Sequence, residues 1–406
     1  MSTFSQNVQK VKDAFAAIKT ALAGKGVTVP SDAKLSDVPA LVDGISAGTP
    51  ALCTFELTYT GGTKTVETTS EGVVRLSRRF YYRQDMVGCA VSIPGAVAVA
   101  TDGDASAMFY QCSGLVSLSL PTGFGDAITS AGNMFYGCSS LAAFDAPAGF
   151  CSRLQSAASM FSELPALASF TTGAGSFSET TKASQMFYGC SSLATVTLGA
   201  MFGEALTTAD QMFTSCSALT RLEFPAGSGK RLTYSPTMFY NCSKLTSLVL
   251  HDGFGGSITN ADSMFGMCKS LRALELPTGF GAAIEDATRM FWNCTSLKSL
   301  ALPVGFGSSI TTATDMFTNC TALATISAPA GVTIDPSTGE NGVLRMKVSF
   351  SLSGTNLNKA SLIVVLNSLQ QVSGQTLTLG TRKSRLTGDD GAAAISAAES
   401  KGWTIV

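Results

Sequence analysis

Nine Met-Phe pairs, beginning at Met108, Met134, Met160, Met186, Met212, Met238, Met264, Met290 and Met316, follow one another at intervals of 26 residues with no insertion. A period held this strictly dictates a stack of equivalent coils, because one extra residue inside any unit would shift every later coil against its neighbour. A lone unit would leave both faces uncovered. Stability is therefore expected from nearest-neighbour burial, with the two ends closed by caps.

Within a unit the apolar spacing changes. Ala131, Met134, Phe135 and Cys138 fall at i, i+3, i+4 and i+7, the stripe of a helix, whereas Leu274 and Leu276 alternate as strand residues do. The expectation is one short helix and one short strand per unit. Pro121, Pro225, Pro277 and Pro303 close their strands by removing a ladder donor, and the Gly-Phe-Gly that follows turns the chain while Phe re-enters the core. The third unit departs from the pattern: Leu164 stands in the Cys position, Pro165 follows, and Thr172 stands where Pro147 closes the preceding strand, so a kink or a loosened coil is expected there.

The consensus A-x-x-M-F-x-x-C-x-x-L-x-x-L-x-L-P-x-G-F-G-x-x-I resembles leucine-rich repeats, and its M-F-x-x-C-x-x-L half is similar to the BspA-like bacterial subclass found in surface antigens and phage proteins. The resemblance covers Met108 to about Val332 and implies an α/β solenoid of nine 26-residue units. Four segments are expected: an N-terminal helical anchor over 1–48, a small β-rich cap over 49–107, the solenoid over 108–333 and an α/β cap over 334–406. In the last, a helix through Leu362, Ile363, Leu366 and Leu369 precedes a strand Thr376–Leu379, an alanine-rich helix and a final strand Trp403–Val406. Leu377-Thr-Leu-Gly380 with Lys401-Gly-Trp403 resembles the ends of BspA-like proteins encoded by gut bacteria and their phages.

At the other end Phe4, Val8, Val11, Phe15, Ile18 and Leu22 alternate four and three residues apart, the seam of a coiled coil. Such a narrow stripe suits a homotrimer, although a helix docked on its own chain would leave the same spacing. The stretch from Ile18 through Gly26-Val-Thr-Val-Pro30 to Ile45 resembles leader segments of phage tail and fibre proteins. Met1 to Lys12 lacks the apolar core of a secretory signal, and no run approaches the ~18 apolar residues of a spanning helix.

The chemistry-bearing residues are few. Charged residues are 14% of the chain, 27 basic against 28 acidic, so the sequence offers no general attraction for nucleic acid or anionic lipid. Eight of the eleven cysteines (Cys112, Cys138, Cys190, Cys216, Cys242, Cys268, Cys294 and Cys320) obey the period. Spread one per coil, they do not converge on a metal and read as a ladder of buried thiols. Cys53, Cys89 and Cys151 lie off the ladder, free to pair or stay reduced. His251 is the only histidine and has no reason to meet a nucleophile. Carboxylate-only hydrolysis needs two acids across a groove, and Asp145, Glu223 and Glu275 on strands are more simply solvating charges. No cofactor, metal or enzymatic activity is expected.

There remains the outward strand face, small and polar at Ser117, Ser119, Ser169, Thr171, Thr195 and Thr197, with charges at Asp145, Arg221, Glu223, Arg272, Glu275 and Lys298. Solenoids commonly bind through a concave sheet, so this strip is the candidate binding surface. The expectation is a phage virion component, a tail or head fibre or receptor-binding protein, held to itself and to other virion proteins by its N-terminal segment and presenting the solenoid to a bacterial surface glycan or protein. A bacterial surface adhesin is the alternative, and a polysaccharide-degrading enzyme ranks third.

Overall fold

In a computed structural model of the chain, residues 12–13, 15–20, 34, 53–68, 75–92, 103–122, 124–329 and 331–406 are described. Each unit contributes one three-residue strand: β4 (Ser117–Ser119), β5 (Ala143–Asp145), β6 (Ser169–Thr171), β7 (Thr195–Thr197), β8 (Arg221–Glu223), β9 (Ser247–Val249), β10 (Ala273–Glu275), β11 (Ser299–Ala301) and β12 (Thr325–Ser327). Pairing is parallel and in register with the period, as in Ala143↔Ser169↔Thr195. The middle residue of each strand points into the core and its neighbours point outward, as in Leu222 between Arg221 and Glu223.

The Met-Phe segment is not a helix. It is a succession of tight turns with two left-handed residues per unit, one before Met and one three residues after it, such as Asn133 (φ 56°) and Gly137 (φ 70°). Alternate N–H groups then face different partners. Those of Met134, Tyr136 and Cys138 close onto Ala131, Asn133 and Phe135 in their own coil, and those of Asn133, Phe135 and Gly137 donate to Ala158, Met160 and Ser162 in the next, at 2.9–3.2 Å throughout. An α-helix would spend all of these donors inside one coil and leave none for stacking. The 3-4 apolar spacing that reads as helical is produced here by the i→i+3 turns.

The core is organised in columns. Phe rings from Phe80 to Phe317 stack coil on coil with centroids 5.2–6.0 Å apart. Met108, Met134 and their equivalents are fully buried beside them. Each ladder thiol donates to the carbonyl of the Phe one coil back, as Cys138 Sγ does to Phe109 at 3.1 Å and Cys320 Sγ to Phe291 at 3.0 Å. Cysteine thus supplies a small apolar volume and a weak donor together. Leu164 fills the same buried position without the donor, and the unserved Phe135 carbonyl still accepts the Cys138 N–H.

No kink follows from Leu164 and Pro165: β5, β6 and β7 pair without a break across that unit. Pro165 is exposed in a turn where the equivalent N–H, that of Ser191, reaches only its own Gly189. All eleven cysteines are buried, Cys53, Cys89 and Cys151 included, and the eight of the ladder are free thiols.

The ends are closed differently. β1 (Thr54–Tyr59) pairs antiparallel with β2 (Lys64–Thr68) and β3 (Met86–Ser92), and β3 pairs parallel with β4, which joins this small sheet to the first coil. Arg78, Phe80 and Tyr82 donate to Ser106, Met108 and Tyr110, so the turn ladder starts one coil before Met108. At the C-terminus β13 (Phe350–Ser351), β14 (Gln375–Thr378) and β15 (Trp403–Ile405) form a parallel sheet, with α1 (Lys359–Ser368) and α2 (Gly388–Ser400) packed on one another. Lys401, 1% exposed, donates from Nζ to the Leu366 and Asn367 carbonyls and so closes the end of α1. Burial pulls its ammonium down to about 8.

Two predictions follow from the coil geometry. Thr237 is β-branched yet holds a φ of 52°, and its hydrogen bonds to Asp262 and Thr214 use only backbone atoms of its own. Thr237→Gly is expected to raise the unfolding free energy by about 0.5–1 kcal/mol in denaturant titrations.

Burial raises the ladder thiols from 9.0, to about 12 at Cys190, Cys242 and Cys320. The folded values lie above the unfolded ones, so this stabilisation is complete below about pH 9 and is lost as pH climbs toward 12. Melting temperature should fall steeply over that window, and iodoacetamide at pH 8 without denaturant should leave the ladder unlabelled.

Candidate functional site

The outward strand strip takes its geometry from where the sheet parts. No strand pairing joins β4 to β5, β7 to β8, or β9 to β10. On the turn side the ladder of bridges runs unbroken from Asp104 to Thr312. Strand pairing therefore lapses at three places on the strand side, while bridging on the turn side is continuous. The strip consists of short runs of paired strands, with clefts bordering the β7/β8 and β9/β10 breaks.

The charged residues border these openings. At the β7/β8 seam a cleft of about 430 Å³ is lined by Thr195, Thr197, Thr220, Arg221, Glu223 and Pro225. Arg221 Nη2 and Glu223 Oε2 pair at 2.9 Å along one strand, both side chains about half exposed or more. His251 Nε2 lies 3.7 Å from the other Glu223 oxygen. At the β9/β10 seam a second cleft of about 320 Å³ is lined by Leu250, Asp252, Glu275, Leu276 and Pro277 among others. Arg272 precedes β10 and Lys298 precedes β11; both are exposed and make no ion pair among the described residues. Asp145 is exposed at the end of β5, beside the β4/β5 seam.

The structure thus brings Arg221, Glu223 and His251 together, places Glu275 on a neighbouring cleft, and leaves Asp145, Arg272 and Lys298 apart. Nothing in the repeat announced the seams, because the strands on either side of each keep the same spacing as the paired ones. A further cleft of about 230 Å³ lies where β1 to β3 meet the first coil, lined by Glu56, Thr58, Lys64, Gly88, Ser117 and Ser119. The sequence reading missed it for want of the β3–β4 pairing. Of the N-terminal stripe, Phe15 and Ile18 lie within the helical residues 15–20 and are half-buried, with Lys19 Nζ 4.9 Å from the Phe15 ring centroid. Phe4, Val8, Val11 and Leu22 lie outside the described residues.

The family model for the BspA type leucine rich repeat region matches residues 105–246, 177–287 and 233–338, overlapping stretches that span more than half of the 406 residues. The chain belongs to the BspA-type leucine-rich-repeat family. No curated protein and no solved structure matches it. The matched span coincides with the coils of this BspA-type solenoid that carry both the strip and the turn ladder.

Exposed ion pairs contribute little to folding. Removing Arg221 and Glu223 of this BspA-type repeat by alanine should therefore change the unfolding free energy by less than about 0.5 kcal/mol. A larger loss in thermal melts would mean that the pair holds the β7/β8 seam together and is not available to a partner.

Proposed function

We propose that this chain is an attachment protein whose solenoid serves as a rigid arm and whose strand strip is the contact surface. A BspA-type repeat array is a surface or interaction module, and an array of this kind supplies area and regular spacing in place of one deep pocket. The observation that carries the reading is the outward strip, where charged and hydroxyl side chains gather at two seams without being used by the fold. Mixed charge in shallow clefts suits a polar protein surface, since such pairs set specificity and orientation.

The finer reading is a phage virion component, a tail or head fibre or receptor-binding protein, and it draws its support from the likeness of Ile18 to Ile45 to phage leader segments. In it the stripe containing Phe15 and Ile18 holds three copies together and joins them to other virion proteins, while the solenoid reaches a bacterial surface. A bacterial surface adhesin is the second reading, favoured by the repeat class itself.

Two measurements test this. Light scattering should give a trimer for the full chain and a monomer for a chain beginning at Pro50; two monomers at micromolar concentration would remove the anchor. Fluorescently labelled full chain should bind host bacteria, and reversing Arg221, Arg272 and Lys298 to glutamate together should weaken that binding at least tenfold. Unchanged binding by the reversed chain would overturn the strip as the contact surface.

A further inference from the structure

The strand strip sorts its charges by sign. Across the nine coils, every charged residue five to nine positions after the Met is basic: Arg221, Lys244, Lys269, Arg272 and Lys298. Every one eleven to fifteen positions after it is acidic: Asp145, Glu223, Asp252 and Glu275. Bases therefore stand at or before the first residue of a strand and acids at or after the last, and all nine are exposed. Elsewhere on the coils the signs mix, as where Arg153 and Glu179, or Glu204 and Lys230, hold equivalent positions in neighbouring units.

The sorting recurs inside single coils. The fifth carries Arg221 and Glu223, the sixth Lys244 and Asp252, and the seventh Lys269 and Arg272 with Glu275. Arg221 and Glu223 pair with each other, and His251 lies 3.7 Å from Glu223. In the sixth and seventh coils no ion pair forms among the described residues, because a strand separates base from acid. Asp252 accepts only the Thr278 N–H, at 3.4 Å. Asp252 and Glu275 border the cleft at the β9/β10 seam, whose walls include Leu250, Leu276 and Pro277.

A surface with bases along one edge and acids along the other can face its own copy in two symmetric ways. A two-fold axis along the strands lays base on base and acid on acid. A two-fold axis parallel to the solenoid lays each coil on the same coil of the other copy with its strand reversed. Lys244 of one copy then meets Asp252 of the other, and Lys269 and Arg272 meet Glu275, in both directions at once. Opposite charges attract across such a face and like charges repel, so the second arrangement is selected. The first coils of the strip, with Ser117, Ser119, Ser169, Thr171, Thr195 and Thr197, carry small side chains that permit close approach. Nine coils make a face of roughly 40 by 20 Å, near the ~800 Å² per partner of a stable interface.

We propose that the strand strip is self-complementary and joins two copies of the chain face to face with their solenoid axes parallel. The inference goes beyond the attachment reading and stands on charge placement alone. It adds a constraint to that reading: a second copy and an outside partner compete for one surface, so the strip is covered where chains are concentrated and open where they are dilute. Exposed pairs are individually weak, so the pairing is reversible and sensitive to salt.

Sedimentation of the full chain tests the proposal, with the mass at the lowest concentration as baseline. Mass should rise with concentration at about 50 mM salt and return to baseline at about 500 mM, where screening is short-ranged. Lys244→Glu, Lys269→Glu and Arg272→Glu together make both edges acidic and should weaken pairing at least tenfold. Adding Asp252→Lys and Glu275→Lys swaps the edges; the swapped chain should pair with itself as the wild type does and should not pair with the wild type. Folding is not at stake in the companion measurement, made on wild-type chains mixed with isotope-labelled ones. A carbodiimide, which joins ammonium to carboxyl groups directly, should link Lys244 to Asp252 and Lys269 to Glu275 between light and heavy copies.

A mass independent of concentration, a swapped chain that regains no pairing, or links between copies confined to other residues would each overturn the proposal. Host-cell binding is read at high dilution, where the copies are apart. Its loss with pairing intact removes the attachment reading alone, and host binding by a strip that never pairs removes this one alone.

Discussion

The fold rests on how the backbone of one segment divides its hydrogen bonds. In the Met-Phe turns every second N–H closes a turn and the others bond to the next coil, so local shape and stacking are set by the same few residues. That division requires two left-handed residues per unit, at a cost that glycine avoids and asparagine reduces. Several units place Gly or Asn at one of these positions, as at Gly137, Gly189, Asn241 and Asn293. The Phe column then forms because consecutive coils are related by almost pure translation, and aromatic rings in register stack on their own images.

This asymmetry between the two sides governs the surface. The turn side has alternating backbone bonds, side-chain rungs such as Thr207 to Thr181 and Thr233 to Thr207, and the Phe stack close behind it. The strand side has three residues per coil and parts at three places. Pairing accordingly lapses on the side with fewer restraints and continues on the side with more.

Much of the architecture was legible in the sequence. The Met-Phe interval alone gave the period and the stack, the alternation of Leu274 and Leu276 gave the strand, and the Cys spacing gave a buried thiol column. The helix assigned to Ala131–Cys138 was a misreading of period: apolar residues three and four apart mark a helix or a run of i→i+3 turns equally well, and only the coil-to-coil bonds distinguish them. True helices occur in the cap, where α1 and α2 need no bonding to a neighbouring coil. The seams beside Arg221 and Glu275 could not be read at all, because strand parting depends on packing summed over several coils.

Because every strand pair and bridge between Asp104 and Thr312 joins residues one period apart, an in-frame gain or loss of one unit by unequal recombination leaves both ends and all remaining interfaces as they were. Each such event would change the reach of the molecule by about 4.8 Å and would bring an even or odd number of coils between the caps. Length and surface pattern can thus drift in discrete steps over generations, while the chemistry of any one coil stays the same.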